Sequence, residues 1–424
     1  MTPRTGEDEV VDLCRDLIRI DSTNAGDNAG PGERQAAEYV AEKLAEVGLE
    51  ARILESDDRR ANVVARLAGE DPSRGALLLH GHLDVVPFDA GDWTHHPLSG
   101  EIADGCVWGR GAVDMKDMDA MILAVARQWA GAGRRPPRDV VLMFTADEEA
   151  GGAYGANWLV NNHRELFEGV TEAIGEVGGF SVTLGDRRLY LIEAAEKGMA
   201  WMRLKAKGRA GHGSMLNADN AVTELADAVA RIGRYEWPVR LTPTVKRLLE
   251  ELEIGPDDVD RLGPLSRMIG AVLRNTANPT MFQAGYKANV IPQSAEAVVD
   301  GRFLPGHEEE FFATLDELLG PNVTREFVQH QVALEFAFEG PLVRAMAQAL
   351  TAEDADGVAV PYTLSGGTDL KAFSRLGITG YGFAPLKLPA DLDFSGMFHG
   401  VDERVPVDSL RFGTRVLDRF LELC

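Results

Sequence analysis

The run LLLHGHLDVVP at residues 77–87 decides the fold. Its first half is a continuous apolar segment of the kind that forms a strand buried on both faces. Its second half places His80, His82 and Asp84 at every second position, so in a strand with a side-chain period of two all three share one face. Two imidazoles and a carboxylate on one side of an emerging strand read either as a polar strand end or as the start of a metal site.

Outward from this strand the texture is α/β. Val10, Leu13, Cys14, Leu17 and Ile18 recur at helical spacing, as do Ala37, Val40, Ala41, Leu44 and Val47. The β-rich runs ARIL, NVVARL and CVWGR, a helix over MDAMILAVARQWAGAG and the buried strand DVVLMFTA follow. Helices alternating with apolar strands predict a mixed sheet flanked by helices.

The pattern changes near Gly198. A strand over GMAWMRLKAKG, a helix over NAVTELADAVARIG, strands in TMFQAGYKANV and AEAVVDGRFLP, a helix over EEEFFATLDELLG and a strand over VTREFVQHQVALEF give the order βαββαβ. That order describes a self-sufficient α+β unit inserted into the first domain. The expected boundaries are 1–197 with 338–424 for the first domain and 198–337 for the insertion. Within the insertion, a helical elaboration at about 238–278 is too long for a simple connection.

Composition narrows the function. The 424 residues carry 43 basic and 67 acidic side chains, a net charge of −24, which disfavours nucleic acid and anionic membranes as partners. Cys14, Cys106 and Cys424 have no CxxC spacing, so neither a disulfide framework nor a thiolate metal knuckle is expected. The acidic, amphipathic start and the lack of an apolar run of about 18 residues predict a cytoplasmic, soluble protein.

Each remaining acidic or histidine candidate has an ordinary structural alternative. Asp114 in WGRGAVDMKD could be a first-turn helix acid, Glu148 and Glu149 in FTADEEAGG a solvated pair, Glu176 in AIGEVGGF a surface acid, and His399 in MFHGVDERVP a structural histidine. Four of the five candidate motifs, counting HGHLD, fall where a predicted strand ends, which favours a site, because ligands of open α/β sheets gather there. Adjacent glutamates on a regular strand face opposite ways, so Glu148 and Glu149 can act together only if the backbone turns, as EEAGG permits.

HGHLDVVP, WGRGAVDMKD, TADEEAGG, EKGMAWMRLKAKGRAGHGS, SGGTDLKAF and FHGVDERVP, in this order over nearly the whole chain, resemble the M20 family of metallopeptidases, which includes aminoacylases, carboxypeptidases and succinyl-diaminopimelate desuccinylase. The resemblance implies a zinc-peptidase-like catalytic domain, with the insertion as a lid and dimerisation domain. It implies two divalent metal ions, zinc with cobalt or manganese as substitutes, bridged by Asp114, with His82 and Glu176 on one ion and Glu149 and His399 on the other. It makes Glu148 the general base and puts Asp84 behind His82, fixing the imidazole's tautomer. His80 is read as a packed neighbour. Glu172, one turn from Glu176, is its rival as ligand.

The same resemblance assigns His212 in GRAGHGS to oxyanion stabilisation from the partner of a homodimer. Asn289, Arg302, Gly367 and Thr368 are assigned to substrate binding, with a salt bridge as the alternative for Arg302 and a structural role for Asp369. The expected reaction is hydrolysis of the amide bond of N-acyl amino acids or short peptides with a free carboxylate. A desuccinylase or deacetylase of a specific biosynthetic intermediate and a non-catalytic, metal-stabilised binding protein are the alternatives.

Overall fold

A computed structural model describes residues 5–26, 28–262 and 265–424. The chain divides into two compact units: residues 1–194, 336–361 and 368–424 form the first, and residues 195–335 with 362–367 the second.

In the first unit the strand Ala76–His82 lies between Val140–Thr145 and Val170–Gly175 and runs parallel to both. Thr379–Gly382 extends the parallel run beside Val170–Gly175. On the other side Arg60–Leu67 and then Ala51–Asp57 add antiparallel strands, so the sheet is mixed. Every residue of Ala76–His82 and of Val140–Thr145 is buried, which is why these strands are apolar without alternation.

The covering helices follow from amphipathic patterning. Gly6–Arg19 opens with a reciprocal Thr5–Asp8 capping box and buries Val10, Leu13, Cys14, Leu17 and Ile18. Burial of such side chains stabilises by about 1.5–3 kcal/mol for each large one. It packs on Lys116–Gly131 and Val407–Leu423, and the latter packs on Pro341–Glu353. Lys116–Gly131 is buried on all sides through its first turns and lies against Ala76–His82, which fixes the turn before it beside the carboxyl end of that strand.

The second unit is a four-stranded antiparallel sheet in the order Thr276–Ala284, Ser294–Phe303, Gly198–Lys207, Val323–Gln331. With the helices Ala221–Arg234 and Glu308–Leu319, the chain order is βαββαβ. Ala295, Ala297, Val299 and Phe303 alternate inward from their strand and pack with Leu204, Leu225, Phe311 and Leu315. Pro243–Leu252, Pro256–Leu262 and Leu265–Val272 make the segment expected to be helical a string of short helices. The unit spans 195–335 against the expected 198–337 and also includes residues 362–367, where the Lys197 N–H donates to the Leu364 carbonyl at 2.9 Å.

Candidate active site

Three parallel strands of the first unit end side by side, and each is followed by site residues. Ala76–His82 ends on His82 itself, Val170–Gly175 is followed at once by Glu176, and Val140–Thr145 leads into a turn carrying Glu148 and Glu149. That turn solves the problem of adjacent glutamates. Asp147 is left-handed at φ 65°, Glu148–Ala150 form one 3-10 turn, and Gly151 and Gly152 continue at φ 98° and 70°. Asp114 stands two residues before the helix Lys116–Gly131, and His399 lies between a short 3-10 turn and the strand Arg404–Pro406.

These elements bring His82, Asp114, Glu149, Glu176 and His399 into one cluster. His82 Nε2 is 3.1 Å from Asp114 Oδ1 and 3.4 Å from Glu176 Oε2. His399 Nε2 is 3.2 Å from Asp114 Oδ2 and 3.0 Å from Glu149 Oε2. Asp114 therefore turns one oxygen to each histidine. His82 and its carboxylates are buried, whereas the His399 side chain is 55% exposed. Glu172, the rival of Glu176, is instead held by Arg138 Nη1 at 2.5 Å.

The electrostatics describe charges that compensate one another. Burial lowers the His82 pKa, but Glu176 and hydrogen bonds to Asp114 and Asp84 outweigh it and hold it well above the usual histidine value. Hydrogen bonds to Asp114 and Glu149 raise His399 to about 10. Asp114 is lowered: its burial is overcome by hydrogen bonds from His399 and His82. Burial raises Glu176 to about 8 against the pull of His82, and burial reinforced by Glu176 raises Glu148 well above its ordinary value. Burial, then the Asp114 charge, also raises Glu149. Carboxylates this close need protons or cations between them.

A divalent cation fits the donor set. Glu149 Oε1 and Glu176 Oε1 are buried without a protein hydrogen-bond partner. Ligand-type atoms of His82, Glu148 and Glu176, and again of His82, Asp114 and Glu149, lie within 4.8 Å of one another. Imidazole and carboxylate without thiolate suit zinc, cobalt or manganese.

Asp84 faces His82 with two groups. His82 Nδ1 meets the backbone carbonyl of Asp84 at 3.0 Å, while the Asp84 carboxylate is 3.6 Å away. The carboxylate also accepts the backbone N–H of Glu148 at 3.0 Å, that of Glu149 at 3.1 Å and the Asn24 amide at 2.9 Å. It is a clasp on the glutamate turn. Asn24 also donates to Asp147 Oδ1 at 3.0 Å and accepts from Arg60 Nη2 at 3.0 Å, whose other arm meets buried Glu33. His80 Nε2 lies 2.9 Å from the Thr145 hydroxyl and 3.1 Å from Asp369 Oδ2, edge-on to Phe373, as a packed neighbour of the site.

Residues 78–423 match the family model described as Peptidase family M20/M25/M40. The chain belongs to this family. It is 28% identical to aminoacylase-1 of Sus scrofa over 77% of this chain and 74% of that protein. It is 28% identical to succinyl-diaminopimelate desuccinylase of Paracoccus denitrificans over 92% of this chain and 94% of that one. Among solved structures, the M20 family metallo-carboxypeptidase Sso-CP2 from Sulfolobus solfataricus shares the fold at a TM-score of 0.75 and 18% identity, covering 98% of this chain and 99% of that one. The protein is an M20-type metallopeptidase or amidohydrolase.

The remaining positions matched to M20 motifs fall as follows. In the second unit His212 pairs across a two-residue ladder with Val290, and the Gly213 N–H donates to the Asn289 carbonyl at 2.9 Å, which makes His212 and Asn289 neighbours. His212 is exposed, its Nδ1 2.8 Å from the Ser214 hydroxyl. Arg302 grips Asp300 on its own strand face, Nε to Oδ1 at 2.7 Å, so the salt bridge exists. Thr368 is buried and its hydroxyl accepts the Leu370 N–H at 3.1 Å at the start of a short helix; Gly367 precedes it, half-buried.

Sequence reasoning missed two residues that organise this M20 site. Asn24 sits in STNAGDNAG, where no pattern marks it. Glu403, in the already noted motif FHGVDERVP, is fully buried beside Arg110, and an acid just before a strand four residues after His399 was the available signal.

No helix among the described residues is long and apolar enough to cross a membrane.

Proposed function

We propose that the chain binds two divalent ions, zinc with cobalt or manganese as substitutes, and hydrolyses the amide bond of N-acyl amino acids or short peptides that carry a free carboxylate. The observation that carries this reading is the Asp114 carboxylate, with one oxygen toward His82 and the other toward His399. Asp114, His82 and Glu176 would hold one ion, and Asp114, Glu149 and His399 the other. Bound divalent cations would supply the positive charge that acidifies water and polarises an amide carbonyl.

The chain's own groups do the rest. Glu148 takes the proton of the attacking water and returns it to the leaving nitrogen, a role suited to a carboxylate whose proton affinity is raised by burial and by Glu176. Asp84 fixes that base by holding its backbone N–H. His212 donates a hydrogen bond to the developing oxyanion in a homodimeric, cytoplasmic enzyme, and Asn289, Arg302, Gly367 and Thr368 bind the substrate. Similarity to a desuccinylase along almost its full length supports N-succinyl amines as a second substrate class.

The test is a hydrolysis screen of N-acyl amino acids, dipeptides and N-succinyl amines with zinc, cobalt and manganese. Glu148→Gln is expected to retain metal binding and lose about 10²–10⁴-fold in kcat, the usual scale of general base catalysis. Unchanged turnover in that variant would remove Glu148 as base. No hydrolysis of any amide by metal-loaded wild type would favour a binding protein.

A further inference from the structure

Glu403 is fully buried and meets four donors. Its Oε1 accepts the backbone N–H of Val113 at 2.8 Å and of Asp114 at 3.0 Å. Its Oε2 accepts the N–H of Gly111 at 3.1 Å and Arg110 Nη1 at 2.8 Å. The Glu403 carbonyl accepts the Gly109 N–H at 3.0 Å, and the next residues, Arg404–Pro406, pair antiparallel with Cys106–Trp108. One residue thus binds the whole Gly109–Asp114 turn to the segment that carries His399.

The two histidines are held very unequally. His82 is the last residue of a central strand, its ring buried and its Nδ1 on the Asp84 carbonyl. His399 stands at φ 58° on an irregular loop with most of its side chain exposed. That loop is pinned at Asp402, whose carboxylate accepts the Thr94 N–H at 2.7 Å and its hydroxyl at 2.8 Å, and at Glu403. Only the Glu403 pin also grips the backbone of Asp114.

We propose that Glu403 is a positioning residue that sets the distance between Asp114 and His399 and thereby the affinity of the ion those two residues share with Glu149. The proposal rests on the two-ion reading above. A carboxylate is required because all four neighbours are donors: a glutamine offers a single oxygen and turns its NH₂ on one of the two donor pairs. Loss of such a supporting hydrogen-bond partner typically costs 10–100-fold in metal affinity or activity.

The experiment is titration of metal-free protein with cobalt(II), read by its visible absorption spectrum and by ions bound per chain, on wild type, Glu403→Gln, Glu403→Asp and Arg110→Met. Wild type is expected to take two ions. Glu403→Gln is expected to bind the first with wild-type affinity and the second 10–100-fold more weakly, with an altered cobalt spectrum and lowered kcat at unchanged KM. Arg110→Met, which leaves the backbone clamp in place, is expected to keep both ions.

Wild-type affinity and spectrum for both ions in Glu403→Gln would overturn the proposal. So would equal weakening of both ions, or an Arg110→Met loss as large as that of Glu403→Gln, since either indicates general packing. A variant that fails to fold is recognised by its circular dichroism, and Glu403→Asp, which keeps the charge, then decides by the same criteria. A wild type that takes a single ion refutes the two-ion reading itself, whatever the variants do.

Discussion

Asp84→Asn replaces a carboxylate that accepts three hydrogen bonds with a side chain that has one oxygen. In the native site Oδ1 receives the Glu148 N–H, and Oδ2 receives the Glu149 N–H and the Asn24 amide. Whichever way the new amide is turned, its NH₂ meets at least one backbone donor. Asn24 cannot compensate without cost, since its own oxygen is engaged by Arg60 and its amide also serves Asp147. One charge-assisted hydrogen bond is therefore lost outright, about 1.5–3 kcal/mol. At ~1.4 kcal/mol per tenfold this corresponds to roughly 10- to 150-fold. The loss is expected to be divided between metal affinity, through Glu149, and kcat, through Glu148. Metal titration of the apo variant and kcat at saturating metal measure the two parts. A variant within threefold of wild type in both would show that the 148–149 turn keeps its shape without the clasp, and the reasoning would fail.

Metal-free protein is expected to lose thermal stability as pH rises. His399 has a folded pKa of about 10 against an ordinary 6.5, so its contribution is complete below 6.5 and gone above 10; Glu176, raised from 4.5 to about 8, destabilises the fold progressively over 4.5–8. Both act in the same direction, and melting curves of chelated and metal-loaded protein from pH 5 to 10 should diverge; parallel curves would contradict the assignment. Arg302→Ala is expected to raise KM at least tenfold for substrates with a free carboxylate and to leave their amide-capped analogues unchanged; equal effects on both would reduce Arg302 to a partner of Asp300. His212→Ala is expected to lower kcat about 10²–10³-fold with little change in KM, the scale of a lost oxyanion donor, and a KM effect alone would point to binding instead.

The fold was legible because its signals are local. The unbroken apolar runs around Leu79 and Leu142 and the alternation in Ser294–Phe303 state their burial directly, and the βαββαβ order of the second unit follows from the succession of strand-like and helical runs. The site was legible where ligand-type residues end such strands, as His82 and Glu176 do. What escaped depends on side chains meeting across long separations. That the Asp84 carboxylate, beside the imidazole of His82, also holds a turn more than sixty residues on follows only from the path of the Thr145–Gly152 backbone. Asn24 acts on the distant carboxylates of Asp84 and Asp147, and Glu403 on backbone N–H groups, partners that no local pattern announces. Residues 362–367 belong to the second unit, with the Leu364 carbonyl accepting the Lys197 N–H, a pairing that no periodicity announces.

The left-handed Asp147 and the turn it starts have a consequence for how such an enzyme can diversify. The proposed proton acceptor and a metal ligand are consecutive residues whose amides rest on the two oxygens of one side chain. The placing of the proton acceptor and that of the ion ligand are thus not independent dials: a substitution that moves the turn or its Asp84 clasp will shift both in the same step. Changes of substrate preference that spare turnover should therefore accumulate away from this turn, and directed evolution of this chain is better aimed at positions such as Asn289 and Arg302 than at the glutamates.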